Sequence, residues 1–269
     1  MKTHYKISRS IITAMIVLVL ALVFSECGFK KKTVLLEGGE VEVSDVKKQS
    51  KQEGDIKKIE VKNKRFTGNI LEIKDPKSLK IGYAQKGDTV KNLAALCGAD
   101  VAINGGVFKE EGGVVTPFGS LIVKGSIENE DDTKRGVAAI NENGELIVGN
   151  YSTGDLKKLK AVNAVSGNIV LVSNGVGQIN NVEDNAVNSR TAIGQKSDGS
   201  IMLLVIDGGQ QTTVGASLKD VQDTMLEHGV KNAINLDGGA SSTMYYKGEI
   251  INKPSNGERK ISNIIYVKQ

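Results

Sequence analysis

Three apolar runs in this chain end in the same way. Ala102-Ile103 runs into Asn104-Gly105-Gly106, Val205-Ile206 into Asp207-Gly208-Gly209, and Ile234-Asn235-Leu236 into Asp237-Gly238-Gly239. A buried strand that finishes in a carboxylate or amide delivers a polar side chain to the rim of a fold. The paired glycines permit positive φ and let another group approach the backbone closely. If the three ends converge, they form a pocket of acid, amide and backbone N–H groups, which suits an anionic or sugar-like ligand. After the third run come Ala240, Ser241, Ser242 and Thr243, whose hydroxyls donate and accept hydrogen bonds. A tight polar turn between two strands is the simpler reading of any one copy. The repetition is what points to a site.

Those ends need elements to position them. Rough alternation of apolar and polar residues predicts strands at 57–61, 66–73 and 78–83, with a turn at Asp75-Pro76. Residues 89–97 read as an amphipathic helix with Asp88 as its N-cap and Gly98 closing it. A loop follows Gly106, then strands at 120–123, 137–140 and 145–148, the last two joined by an Asn143-Gly144 hairpin turn. Residues 155–160 suggest a helical turn, 168–172 a strand and 175–188 a surface loop. The strongest helix is 217–228: Leu218, Val221 and Met225 share a face, Ser217 and Asp220 form a capping box, and Gly229 stops it. Lys247-Gly248 turns a second hairpin, and 263–267 is the last strand. Strands outnumber helices and several are consecutive, which predicts an α+β fold with a mixed sheet and a few packed helices.

Composition excludes several classes. The apolar content of 39% and charged content of 25% are those of a globular protein, and the net charge of +4 is modest for 269 residues. Its lysines concentrate before Lys91, with no basic-aromatic pattern of the kind that binds nucleic acid. The two cysteines, Cys27 and Cys97, and the two histidines, His4 and His228, do not make a zinc site. His228 falls at a helix end, where capping is its expected role, so a Ser-His-Asp triad is poorly supported. No cofactor is expected. At the N-terminus a basic stretch precedes the apolar run at 11–24, which reads as a signal anchor or a signal peptide. The expected organisation is therefore a tail and membrane segment at 1–29, a polar linker at 30–54 and a domain at 55–269. That domain would lie outside the cell, on a single-pass anchor or secreted.

From about Lys80 to Val267 the motifs, in their order, resemble the phosphodiester glycosidase family. They are GDTVKNLAALCGADVAINGGVF, SRTAIG, the Asp207-Gly208-Gly209 strand end, NAINLDGGASSTM and NGERKISNIIYV. Any one is weak; their order makes the match specific. The chain departs from the family pattern at Ser189 (usually Pro), Ala240 (a third Gly), Val107 (commonly aromatic) and Lys260 (commonly Pro). The resemblance implies hydrolysis of a sugar-1-phosphodiester at its glycosidic bond, releasing sugar and a phosphomonoester, and links bacterial members to exopolysaccharide.

A substrate of that kind needs a carboxylate near the anomeric carbon and a cation or N–H cluster for the phosphate. Asp237 is the candidate base or nucleophile and Asp207 the candidate second carboxylate, since glycosidases commonly pair two. Arg190 is the candidate phosphate ligand, because its planar fork binds two oxygens. Gly105, Gly106, Gly208, Gly238 and Gly239 are candidates to line the pocket with backbone, and Asn104, Thr191, Ser241 and Ser242 to bind substrate or fix Asp237. Glu258-Arg259 and Asn263 are further candidates for the pocket rim, with surface charge the simpler reading of the first two. Two other classes remain open: a non-catalytic polysaccharide-binding module, and a phosphodiesterase whose Asp-Gly-Gly ends hold a hard cation.

Overall fold

A computed structural model describes residues 55–180, 186–209 and 213–269. The anchor and linker expected at 1–29 and 30–54 lie outside the described residues. In chain order, β1 (Ile56–Lys62), β2 (Thr67–Ile73) and β3 (Leu79–Asp88) precede α1 (Val90–Cys97) and β4 (Val101–Asn104). Then come β5 (Phe108–Glu111), β6 (Val114–Pro117), β7 (Leu121–Val123), β8 (Ser126–Asn129), β9 (Arg135–Asn141), β10 (Leu146–Tyr151) and α2 (Thr153–Lys158). β11 (Ala161–Ser166), β12 (Val170–Ser173) and β13 (Val176–Gly177) lead to β14 (Arg190–Lys196), β15 (Ile201–Ile206) and α3 (Leu218–Glu227). The chain closes with β16 (Val230–Asn235), β17 (Met244–Tyr246), β18 (Glu249–Ile250) and β19 (Ile261–Val267).

These strands make three larger sheets and one separate hairpin. The first has the order β1-β2-β15-β14-β16-β12-β13, the second β10-β9-β11-β7-β8 and the third β18-β17-β4-β19-β3, while β5 pairs with β6 alone. The fold is sheet-rich with few helices, as expected, but the mixed sheet is corrected: every ladder between these strands is antiparallel. Parallel neighbours need long crossovers, usually helical. Most connections here are too short for that, and the helices cap sheet faces.

One core joins the sheets. Leu71, Leu203 and Ile234 of the first, Ala138 and Val165 of the second, and Ile103 and Ile265 of the third all meet in it. Each sheet turns its other face to a helix: the first packs Met202, Leu204 and Ile206 against Val221 and Met225 of α3. The third packs Ala102 and Ile264 against Leu93 and Ala94 of α1, and the second packs Val137 and Ala139 against Leu156 of α2. β15 is thus buried on both sides, which explains why its sequence, IMLLVI, does not alternate.

Local signals explain the helix ends. Ser217 and Asp220 make the reciprocal capping box of α3, His228 is its C-cap, and Gly229 follows at φ 78°. In α1 the cap is one residue later than expected: the Thr89 hydroxyl accepts from Asn92 N–H, and Asp88 instead accepts from Thr89 N–H and the Asn92 amide. The loop expected after Gly106 contains the hairpin β5–β6, in which Val115 alone is buried, so no sustained apolar alternation announces it. Among the described residues no helix is long and apolar enough to cross a membrane.

Candidate functional site

Asn104 gathers the strand ends. Its side chain is fully buried; its Nδ2 donates to the Asp237 carbonyl at 2.7 Å. Its Oδ1 accepts from the Thr191 hydroxyl at 2.8 Å and from Thr243 N–H at 3.1 Å. One amide therefore ties the end of β4 to β14, to the turn after β16 and to the entry of β17. The turn itself is held by Gly239 N–H donating to the Ser189 carbonyl at 2.8 Å and Asp237 N–H pointing to the Gly105 carbonyl at 3.4 Å. Of the three strand ends expected to meet with Arg190 in one cleft, those of Asn104 and Asp237 lie together here, beside Gly105 and Thr191.

The glycines serve packing more than ligand binding. Gly105 N–H donates to the Asn263 carbonyl at 2.9 Å, and Gly106 N–H to Asn263 Oδ1 at 2.8 Å. Both N–H groups expected to face a phosphate are therefore engaged by one buried asparagine, which corrects that assignment. A Cβ on Gly105 would lie 2.0 Å from Asn263 Oδ1, and one on Gly208 2.6 Å from the Ser189 nitrogen. Gly238 is extended, and its N–H donates to the Asp237 carboxylate. Only Gly239 in this turn has positive φ, at 60°, with open space where a side chain would project. Ala240 lies in the short helical turn Gly239–Ser241 without positive φ, so replacing a glycine there introduces no backbone strain.

Asp237 is half-buried at the mouth of this turn, and burial pushes its carboxyl above the usual aspartate range. Three groups oppose that shift without cancelling it: the Ser241 hydroxyl, the nearby Arg259 charge and Gly238 N–H. Ser241 and Ser242 are buried, so Ser241 orients Asp237 and the Ser242 hydroxyl, which has no hydrogen-bond partner among the described residues, is enclosed. Arg259, whose simpler reading in the sequence is surface charge, is the cation that acts on Asp237. It is exposed, pairs with Glu110 of β5 and lies 5.0 Å over the Phe108 ring. Phe108 stands two residues beyond Gly106, which puts this guanidinium at the same rim as Asp237.

Asp207 is buried, and its Oδ1 accepts from the Asn252 amide at 3.1 Å and from Lys253 N–H at 2.9 Å. Asn252 also donates to the Ser242 carbonyl at 3.0 Å and accepts from Met244 N–H at 2.7 Å, linking Asp207 to the Asp237 turn. The loop from Asn252 to Lys260 is pinned further on. Ser255 bonds Gly208 and Ser189, and Glu258 accepts from Lys91 N–H at 3.0 Å in the first turn of α1. The Ser189 hydroxyl, donating to the Gly208 carbonyl at 3.2 Å, makes bonds that a proline there cannot. Arg190 is the predicted residue whose side chain the structure does not bring to this corner. Its backbone passes Gly238, but its Nε donates to the Ala216 carbonyl at 3.0 Å and its Nη2 to the Ala186 carbonyl at 2.6 Å. Neighbouring side chains on a strand point to opposite faces, so with Thr191 turned to Asn104, Arg190 lies on the α3 side.

Two surface grooves lie elsewhere. One, of about 660 Å³, is bordered by Lys57, Glu72 and Asp198; the other, of about 440 Å³, by Glu60, Asp220 and His228. Neither contains a residue of the strand-end corner, whose chemistry identifies it better than its volume does. Among the described residues no three or more His, Cys, Asp or Glu side chains are grouped to hold a metal ion.

Comparison with known proteins matches residues 97–268 to the family described as phosphodiester glycosidase. The N-acetylglucosamine-1-phosphodiester alpha-N-acetylglucosaminidase of Bos taurus is 28% identical over 208 residues, covering 67% of this chain and 39% of the relative. Its Homo sapiens counterpart is 29% identical over 196 residues, covering 64% and 37%. The chain thus spans about two fifths of the length of these curated relatives. The zebrafish catalytic domain of that name, auto-inhibited by its pro-peptide, superposes with a TM-score of 0.71 at 23% identity, covering 80% of this chain and 83% of that one. A putative exported protein of Burkholderia pseudomallei superposes with a TM-score of 0.60 at 17% identity, covering 75% and 74%. At these identities the structural likeness is one of fold.

Proposed function

Because the chain belongs to the phosphodiester glycosidase family, we propose that it hydrolyses the glycosidic bond of a sugar-1-phosphodiester in a cell-surface or extracellular glycan. The curated relatives are named for N-acetylglucosamine-1-phosphodiester, and only the class of bond is carried over to this chain. The supporting observation is Asp237: a carboxyl lifted by burial, oriented by Ser241 and Gly238, with the Arg259 charge beside it. Water supplies the hydroxyl to the anomeric carbon, the C–O bond to phosphate breaks, and the phosphate oxygen keeps the bonding pair. Asp237 takes a proton from that water or first attacks the carbon itself, the two courses open to glycosidases. A raised pKa makes it the stronger base once ionised. A phosphate leaving group is a weak base, so neutralising its charge matters more than protonating it. Arg259 is assigned that part in place of Arg190, because a guanidinium fork can bind two phosphate oxygens at once. Asp207 holds Lys253 N–H and so fixes the start of the loop that carries Arg259.

The test is turnover of a sugar-1-phosphodiester by wild type and Asp237→Asn. Loss of a positioned general base or nucleophile lowers kcat by about 10²–10⁴-fold. Asp237→Asn turning over at the wild-type rate removes Asp237 from the chemistry. Wild type that binds the diester without cleaving it makes the domain a polysaccharide-binding module.

A further inference from the structure

The hairpin β5–β6 is the one pair of strands in the described residues that belongs to no larger sheet, and it stands beside the proposed reaction centre. It leaves the fold directly after Gly106, whose N–H is fixed by Asn263, and returns at Phe118, whose N–H donates to the Val107 carbonyl at 3.0 Å. Its first strand offers Arg259 two contacts: the Phe108 ring beneath the guanidinium and the Glu110 carboxylate against it. Arg259 thus holds an anion that belongs to the protein, while its charge acts on Asp237.

We propose that Glu110 is a specificity-determining residue, an internal anion that competes with phosphate for Arg259 and selects against the phosphomonoester product. This rests on the reading of the site as a phosphodiester glycosidase. The diester substrate carries one negative charge, whereas the monoester left after cleavage carries close to two at neutral pH. A bare guanidinium binds the product more tightly than the substrate, and the enzyme would accumulate in its product complex. A carboxylate beside the guanidinium reverses that order in two ways. It returns to Arg259 as the phosphate leaves, and its charge repels a dianion more than a monoanion. Both side chains of the pair are about half exposed, at 40% and 49%, so the pair is weak enough for a phosphate to displace. Phe108 keeps the guanidinium over the rim while its partner changes, because a ring face holds a cation without using its N–H groups.

The experiment is calorimetric titration of inorganic phosphate into wild type, Glu110→Gln and Arg259→Gln, with turnover of a sugar-1-phosphodiester measured in parallel. Glu110→Gln keeps the size of the side chain and removes its charge. Phosphate is expected to bind Glu110→Gln about fivefold more tightly than wild type, the scale of one exposed ion pair. Binding to Arg259→Gln is expected to be lost, and KM for the diester is expected to change less than phosphate affinity in Glu110→Gln. Equal or weaker phosphate binding by Glu110→Gln overturns the proposal. So does undetectable binding in both wild type and Glu110→Gln, or full binding in Arg259→Gln. Because phosphate binding is read without turnover, an enzyme inactive on every diester defeats the glycosidase reading separately.

Discussion

A carboxyl group enclosed by protein resists ionisation, and at Asp237 that resistance outweighs the hydrogen bonds and the cation that favour the charged form. The folded state therefore holds the Asp237 proton to higher pH than the unfolded chain does. Its contribution to stability is fully present below the unfolded pKa and is lost as pH rises through the folded one. Asp237→Asn does not titrate. Its melting temperature is expected to gain on wild type as pH rises from below the carboxylate range towards neutrality. Melting curves across that range check this, and a difference that does not vary with pH contradicts it. Arg259 acts in the opposite sense, lowering the Asp237 pKa. If Asp237 must be ionised to act, Arg259→Gln moves the acid limb of kcat/KM to higher pH, besides weakening phosphate binding. A limb that stays in place or moves to lower pH separates Arg259 from Asp237.

At the scale of elements, the corner depends on how closely its turns pack. A methyl on Gly105 meets Asn263 Oδ1 at 2.0 Å, and that oxygen is the acceptor for Gly106 N–H. Gly105→Ala is expected to cost about 1–3 kcal/mol from overpacking. Displacing Asn263 costs a further ~1–3 kcal/mol by leaving a buried donor unsatisfied. Gly239→Ala is expected to cost about 1–2 kcal/mol, because φ is 60° there although the space is open. Ala240→Gly, in contrast, relieves no positive φ. Chemical denaturation of the three variants tests this ranking, which fails if Ala240→Gly is the stabilising one. The sequence made the convergence of Asn104 and Asp237 legible, because a strand end followed by two glycines is a local signal. It also made α3 legible, where Ser217, Asp220 and Gly229 mark both ends. It did not reveal which face each side chain takes. Arg190 and Thr191 are neighbours in one motif, and a strand sends them to opposite sides. The roles of Arg259 and Glu110 were hidden for another reason: an exposed charge in a loop or hairpin looks the same in sequence whether it meets solvent or substrate. Asn252 and Asn263 sit outside any repeated pattern, and only the fold shows that their amides tie Asp207 and the Gly105-Gly106 turn in place.

At the scale of the whole molecule, three antiparallel sheets share one core, and each is backed by one helix. The core clusters draw on described residues from Val61 to Val267. A chain of that size buries enough apolar surface to fold alone. A protein beginning at Asp55 is therefore expected to melt within a few degrees of the full chain and to keep its turnover. The apolar run at 11–24, preceded by Lys2, Lys6 and Arg9, is proposed to hold the full chain at the membrane with this domain outside, positive charge favouring the cytoplasmic side. Lys30-Lys31-Lys32 opposes that orientation, so topology needs a direct measurement. Protease added to intact cells should cut within the polar stretch at 30–54 and release a folded domain that still turns over a sugar-1-phosphodiester. Domain that resists protease until the cells are broken overturns the orientation. Domain found free in the medium before protease is added shows that the apolar run is removed as a signal peptide. If the protein beginning at Asp55 fails to fold, residues before it contribute to the core, and the boundary drawn at Asp55 is wrong.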